Sequence, residues 1–363
     1  MDWAALTEAG LYDPAAPGAA ERRELLEFLV EQGCTLDEMV AAEARGRLFG
    51  LAGDRIVRPG RDELTLREAA ERAGADVGLV QRLWQAYGLP IVDADTKVAS
   101  ADDVASLSAF LVVASLLGED AALGLARVAG ASVARFAEAI SAALRGSVPD
   151  LTTENATEAR TARAFAAVAT LAPAAGRSLD VLLRHHLEAV RRHFELSGSY
   201  DVAHEHQVRL AVGFADLSGF TALSGTATAA ELSRLLARFE ETASGTVREH
   251  GGRVVKFIGD AVMWVAPVPG EGVAAARALV DRLAAGGTAA RAAVAYGVLL
   301  AQDGDYFGPA VNLAARLVDA AAPGQVVVSE PLRERLGGAF ATEPLPPRTL
   351  RGIADPVTAH VVR

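Results

Sequence analysis

Asp216, Lys256, Asp260, Asp305, Asn312 and Arg316 are the polar residues of this 363-residue sequence whose surroundings set them apart. Asp216 follows Val208, Leu210, Val212 and Phe214, which alternate with Arg209, Ala211, Gly213 and Ala215 in the period of a strand. Asp260 follows Gly259 in a short turn between two apolar runs, 253–258 and 261–266. If those strands are neighbours, both carboxylates meet at one end of a sheet. Two hard oxygen ligands that leave room for water and phosphate oxygens suit Mg²⁺ or Mn²⁺. A pair of such ions would activate a hydroxyl and neutralise a triphosphate. Either aspartate alone is ordinary in such a place; the two together are not.

Lysine occurs only at positions 97 and 256 in a chain that otherwise carries positive charge on arginine. Lys256 supplies hydrogen-bond donors and Asp305 an acceptor, which matches adenine, with its N1 acceptor and N6 donor. Guanine shows the reverse pattern. Asn312 and Arg316 stand four apart in a helical stretch and share a face. An amide there can hold a sugar, and a guanidinium can stabilise charge developing on a phosphoryl group. Arg291, opening a strand expected over Ala290–Leu300, is a second candidate contact for phosphate.

These residues need a framework. Thr228 and Glu231 form a capping box, Leu232, Leu235, Leu236, Phe239, Ala243 and Val247 an apolar helical stripe, and Gly251-Gly252 a stop. Strands at 253–258 and 261–266, a helix from about Gly272 to Ala285, the strand at 290–300 and a helix near 309–321 follow. The order βαββαβ predicts an α+β sandwich. Before it, residues 1 to about 190 read as helix, rich in alanine and leucine. The expected domains are 1–190, helical and regulatory; 191–207, a coupling linker; and 208–363, the catalytic part.

The three clusters Phe214-Ala-Asp216-Leu-Ser-Gly219-Phe220-Thr221, Gly251-Gly252-Arg-Val-Val-Lys256-Phe-Ile-Gly259-Asp260 and Asp305-Tyr-Phe-Gly308-Pro-Ala-Val-Asn312-Leu-Ala-Ala-Arg316 resemble the catalytic domain of class III adenylyl cyclases. The likeness runs from about Val208 to Arg363. It implies a ferredoxin-like cyclase domain that turns ATP into cyclic AMP and pyrophosphate. It also implies Asp216 and Asp260 as ligands of two Mg²⁺ or Mn²⁺ ions, Lys256 and Asp305 as adenine selectors, Asn312 on ribose and Arg316 on the transition state. In that family the site spans two subunits, so a chain with all six residues is expected to work as a homodimer. The family's usual glycine and histidine near Arg291 stand here as Ala293 and Ala295. No side chain in the motifs is an obvious general base. The layout as a whole resembles bacterial soluble two-domain cyclases with an autoinhibitory helical domain that respond to acid pH. Retention of all six residues argues against a degenerate nucleotide sensor, and Arg-Val-Val-Lys after Gly251-Gly252 against a diguanylate cyclase.

A net charge of −11 opposes a broad nucleic-acid surface. Residues 64–84 resemble a helix-turn-helix, yet 62–102 hold eight acids and four bases, so a protein-contact module is expected and no nucleic acid. The uncharged run Val104–Gly118 is too short for a bilayer span and is expected to be a buried helix. No membrane span and no leader are expected, and with one cysteine, Cys34, a reducing, cytoplasmic setting follows. Five of the seven histidines, 185, 186, 193, 204 and 206, fall in or beside the linker and are candidates for pH sensing. The helices of the first half are further candidates to enclose an apolar or lipid ligand.

Overall fold

The computed structural model describes residues 1–60, 63–148, 150, 156–197, 207–353 and 355–363, without the side chains of 192–197. The chain divides into two compact units, Met1–Leu183 and Arg184–Arg363.

The N-terminal unit is helical: α1 Trp3–Glu8, α2 Ala19–Glu31, α3 Leu36–Glu43, α4 Leu51–Val57, then strand β1 Leu64–Thr65, α5 Leu66–Ala73, α6 Val77–Ala86, strand β2 Lys97–Ala99, α7 Ala101–Leu117, α8 Glu119–Ser147, α9 Glu158–Ala169 and α10 Ala172–Ser197, within which the division between units falls. Capping boxes start α3 (Thr35, Glu38), α5 (Thr65, Glu68) and α7 (Ser100, Asp103), each satisfying amides the first turn leaves unpaired. One core joins α2, α3 and α4 to α9, whose Ala159, Ala162 and Ala166 let the backbones approach closely. A second gathers α5 and α6 against Leu107, Phe110, Leu123 and Ala126 of α7 and α8. The helix-turn-helix resemblance therefore corresponds to α5 and α6, turning at Gly74 with φ 69°, with the β1–β2 ribbon beside them. Those strands of two and three residues carry no readable period.

Helix α7 departs from expectation. Only Leu107 and Phe110 are buried, while Val112 and Leu116 are 60% and 77% exposed. Its sequence is apolar all round, which speaks for a buried helix, but the unit covers one side only. Val133 and Phe136 on α8 and Val181, Leu182, Leu183 and Leu187 on α10 are exposed as well. The stretch Glu158–Arg191 is long and apolar enough to cross a membrane by length and composition, although its α9 half already lies in the first core. A cavity of about 50 Å³ lies among Leu66, Val80, Leu83, Trp84 and Leu107, against about 300–1,000 Å³ for ordinary small-molecule pockets. His185 and His186 are exposed on α10; the His193 side chain, His204 and His206 lie outside the described residues.

The C-terminal unit is built on one sheet. Its elements are β3 Gln207–Leu217, α11 Phe220–Ser224, α12 Ala229–Glu249, β4 Arg253–Ile258, β5 Ala261–Ala266, α13 Pro269–Ala285, β6 Ala290–Gln302, β7 Asp305–Phe307, α14 Pro309–Ala320, β8 Val326–Ser329, α15 Glu330–Arg333, β9 Thr342–Pro344 and β10 Ala359–Val362. Strand order is β4-β5-β3-β6-β8-β10-β9, with β7 on β6. The first four strands with α12 and α13 are the expected ferredoxin-like βαββαβ, and β8 extends the sheet parallel to β6.

Alternation along β3 assigns the two faces. Ala211, Ala215 and Leu217 join Phe239, Ala243 and Val247 of α12 and Val273 and Leu279 of α13. Leu210, Val212 and Phe214 join Ala310, Ala314, Leu317 and Val318 of α14. The α12 capping box of Thr228 and Glu231 is formed. Gly213 faces the cross-strand partner Trp264, which is fully buried, and an added methyl would fall inside its ring. Gly213→Ala is therefore expected to destabilise the C-terminal unit by about 1–3 kcal/mol through overpacking. Chemical denaturation of the full chain followed by tryptophan fluorescence checks this; an unchanged midpoint refutes the packing argument.

Candidate active site

Asp216 is the last residue but one of β3, opposite Ala261 on β5 and Arg291 on β6. Ile258 pairs with Ala261, so Gly259 and Asp260 form a two-residue hairpin turn. Gly259 takes φ 62°, the positive value such a turn asks of its first residue. The Leu217 amide donates to the Asp260 carbonyl at 3.2 Å, which pins the turn beside the end of β3. The structure thus brings Asp216 and Asp260 together, as the strand-end argument requires.

Their electrostatics differ. Arg291 donates from Nε and Nη2 to the two carboxylate oxygens of Asp216 at 2.8 and 3.0 Å. Burial, and behind it the Asp216 carboxylate, push the Asp260 carboxyl above the ordinary aspartate range, while Arg291 pulls the other way. Two neighbouring carboxylates with one shared guanidinium are short of positive charge. Among the described residues no group of three or more His, Cys, Asp or Glu could hold a metal ion. A two-carboxylate donor set leaves coordination positions for water and phosphate, which fits Mg²⁺ or Mn²⁺, ions that keep several such ligands.

On β4, Lys256 pairs with Met263 of β5, next to a bulge after Val254. Its Nζ donates to Asp305 Oδ2 at the start of β7, and the Tyr306 amide donates to Asp305 Oδ1 at 2.8 Å. Donor and acceptor predicted for adenine therefore sit side by side, each already held by the other. Sequence reasoning missed a second strap between the same strands: Arg253 Nη2 donates to Tyr306 Oη at 2.9 Å. The adjacency of Tyr306 to Asp305 and of Arg253 to the Lys256 strand was its only signal.

Helix α14 buries Ala310, Ala314, Leu317 and Val318 and exposes Asn312 and Arg316. Arg316 has a loose ion pair with Asp319, 3.6 Å away one turn on, so its guanidinium is available to a ligand. Arg291 also donates from Nη1 to the carbonyls of Asp319 and Ala321 at 3.0 and 3.2 Å. Arg291 is a candidate phosphate contact by sequence; in the structure four hydrogen bonds engage its guanidinium within the chain.

The family model described as "Adenylate cyclase regulatory domain" matches residues 7–191, and that of the "Adenylate and Guanylate cyclase catalytic domain" matches 202–284. The chain belongs to the class III adenylate cyclases that carry this regulatory domain. The second match takes in Asp216, Lys256 and Asp260 but ends before Arg291, Asp305, Asn312 and Arg316. Relatives extend over both halves. The enzyme is 44% identical to the uncharacterized protein Rv2212 of Mycobacterium tuberculosis over 99% of this chain and 93% of that one. It is 33% identical to the pH-sensitive adenylate cyclase MT1302 of M. tuberculosis over 97% and 90%. Among solved structures, the adenylyl cyclase CyaB of P. aeruginosa aligns with 43% of this chain and 94% of its own at 25% identity and a TM-score of 0.39.

The charge shortage at the aspartates has a measurable result. With EDTA present, Asp260→Asn is expected to raise the thermal midpoint of the C-terminal unit by roughly 1–3 °C at neutral pH. A carboxyl whose folded pKa is raised adds its full stability below its unfolded value and loses it as pH rises through the folded one. The gap should therefore close as pH falls toward the ordinary aspartate range, where protonated Asp260 is as uncharged as asparagine. Calorimetry across pH checks the sign; a variant less stable at neutral pH refutes it.

Proposed function

We propose that this enzyme converts ATP to 3′,5′-cyclic AMP and pyrophosphate at sites shared by two copies of the chain, under control of its N-terminal unit. The observation that carries the reading is the grouping on one sheet face of a single protomer: Asp216 with Asp260 at a strand end, and Lys256 with Asp305 against β7, while Asn312 and Arg316 point outward from α14. A twofold pair of chains lays one protomer's aspartates against the other's adenine pair and α14 face, and makes two equivalent sites. Val298, Leu300 and Phe307 on the β6–β7 hairpin are exposed and apolar, which supports a second copy covering them.

In the site, the Lys256 ammonium donates to adenine N1 and Asp305 accepts from the N6 amino group, so their mutual ion pair opens to admit the base. Asn312 holds the ribose and so aims the 3′-hydroxyl at the α-phosphorus. That oxygen forms its bond to phosphorus as the bond to the β-phosphate's bridging oxygen breaks. The electron pair leaves with pyrophosphate, and the hydroxyl proton passes to water. Arg316 meets the charge that builds on the phosphoryl oxygens. Asp216 and Asp260 would hold two Mg²⁺ or Mn²⁺ ions, which would supply a more acidic hydroxyl and positive charge for the triphosphate.

Residues 1–190 act in this reading as the regulatory domain and 191–207 as the coupling segment. A relative aligned over 97% of this chain is named pH-sensitive, and His185 and His186 are exposed on α10 just before the segment. Acidification acts in this reading through the five histidines in or just before the segment, 185, 186, 193, 204 and 206, and shifts the balance between inhibited and active pairs. The acidic surroundings of α5 and α6 support protein contact over nucleic acid, and the ATP substrate with a single buried cysteine supports the cytoplasm.

Complementation tests the shared site. Asp216→Ala and Lys256→Ala are each expected to lose about 100-fold or more in kcat. Mixed in equal amounts and shown to form heterodimers, they should regain up to about a quarter of wild-type turnover, since about half of the dimers are then heterodimers and each has one of its two sites intact. No recovery in verified heterodimers contradicts the arrangement. For regulation, replacing His185, His186, His193, His204 and His206 together should flatten the activity profile between about pH 5.5 and 7.5, and an unchanged profile rejects histidine sensing.

A further inference from the structure

Arg291 is the least free of the site's cations. A guanidinium has five N–H donors, and here four hydrogen bonds engage it: two to Asp216 and one each to the carbonyls of Asp319 and Ala321. Those carbonyls end α14, where unpaired acceptors gather partial negative charge. Arg291 is thus held on its far side by a helix end while its near side covers both oxygens of Asp216. The Asp216 and Arg291 side chains are 17% and 28% exposed, so solvent screens the pair only in part.

A divalent cation at Asp216 needs carboxylate lone pairs that Arg291 now occupies, and it meets a fixed positive charge beside them. Asp260 does not share this engagement: both of the Arg291 bonds to carboxylate oxygens go to Asp216. The two aspartates therefore stand differently toward an incoming ion. Asp260 is open to it, whereas Asp216 must first be released at least in part. Since the same guanidinium grips the end of α14, that release also loosens or shifts the helix bearing Asn312 and Arg316. In a twofold dimer those two side chains serve the other site.

We propose that Arg291 is a built-in counter-ion for Asp216 that competes with the entering metal ion, and so positions a metal ligand in place of touching phosphate in the resting enzyme. The inference rests on the assignment of Asp216 and Asp260 as metal ligands made above.

Mn²⁺ binding to the nucleotide-free full-length protein, followed by the electron paramagnetic resonance signal of free Mn²⁺, tests it without reference to turnover. Arg291→Gln removes the competing charge and should tighten binding about ten-fold. Arg291→Lys keeps the charge but cannot cover both oxygens, so its affinity should fall between the two. A flat or reversed series overturns the proposal, as does a pattern in which Mn²⁺ affinity is constant and only the KM for ATP rises, which marks a plain phosphate contact. A purely structural role would lower the thermal midpoint and leave Mn²⁺ affinity where it was. Should Arg291→Gln fail to fold, the lysine variant decides, because affinity no tighter than wild type refutes competition. Asp216→Asn separates the two levels. If it binds Mn²⁺ like wild type, the ligand assignment itself fails; if it binds weakly while the Arg291 series stays flat, only the present inference fails.

Discussion

The site hangs on one electrostatic constraint: two carboxylates are held at the end of a sheet with less positive charge than they need. Backbone register imposes it. Asp216 stands opposite Ala261 and Arg291 because β3 runs between β5 and β6, and Asp260 is fixed by a two-residue turn that leaves it nowhere else to go. A one-residue slip of β3 would carry Asp216 to the α12 face and replace Phe214 with Ala215 in the α14 core. The buried alternation of β3 on both faces makes that slip costly. Apolar packing far from the carboxylates is therefore what keeps them together, against their mutual repulsion.

The same geometry keeps the cations of the candidate site occupied within one chain. Each functional cation is engaged by a carboxylate of its own protomer: Lys256 by Asp305, Arg291 by Asp216, and Arg316, loosely, by Asp319. In the proposed site, a substrate carrying adenine, phosphates and metal ions would exchange each internal partner for one of its own. Such exchange limits net affinity, because every new contact replaces an old one, and it favours the ligand able to satisfy all the released groups at once. In the proposed binding mode guanine would fail the test at Lys256 and Asp305, where its N1 donor and O6 acceptor would face like against like.

How much of this the sequence discloses depends on the range of the interaction. The period of Val208 to Phe214, the capping box at Thr228 and Glu231, and Gly259-Asp260 are local signals, and the structure contains each feature. The convergence of Asp216 with Asp260 was also reachable, since a hairpin and a neighbouring strand suffice. Arg291 was not. Its type is visible in the sequence, but its direction is fixed by a carboxylate 75 positions away and two carbonyls some 30 positions on. Strands β8, β9 and β10 lie too far apart along the chain, and are too short, for their pairing to show. Helix α7 misleads for a different reason: uniform apolarity marks a helix that needs covering, without saying that its own chain does the covering.

That last point bears on regulation. Each unit carries exposed aliphatic side chains, on α7, α8 and α10 in the first and on the β6–β7 hairpin in the second. Soluble chains seldom leave such patches in water unless something else covers them. A homodimer of the proposed kind that buried both sets would tie regulation to catalysis through assembly geometry, because the proposed shared sites need one mutual placement of the two chains. In such a dimer, any event that stabilised a different placement of the first units would draw the second units out of register without touching Asp216 or Lys256. Only the difference in free energy between the two placements has to change, and a change of about 1.4 kcal/mol shifts their ratio ten-fold. In the proposed control, the coupling segment therefore needs no contact with the active site to act on it.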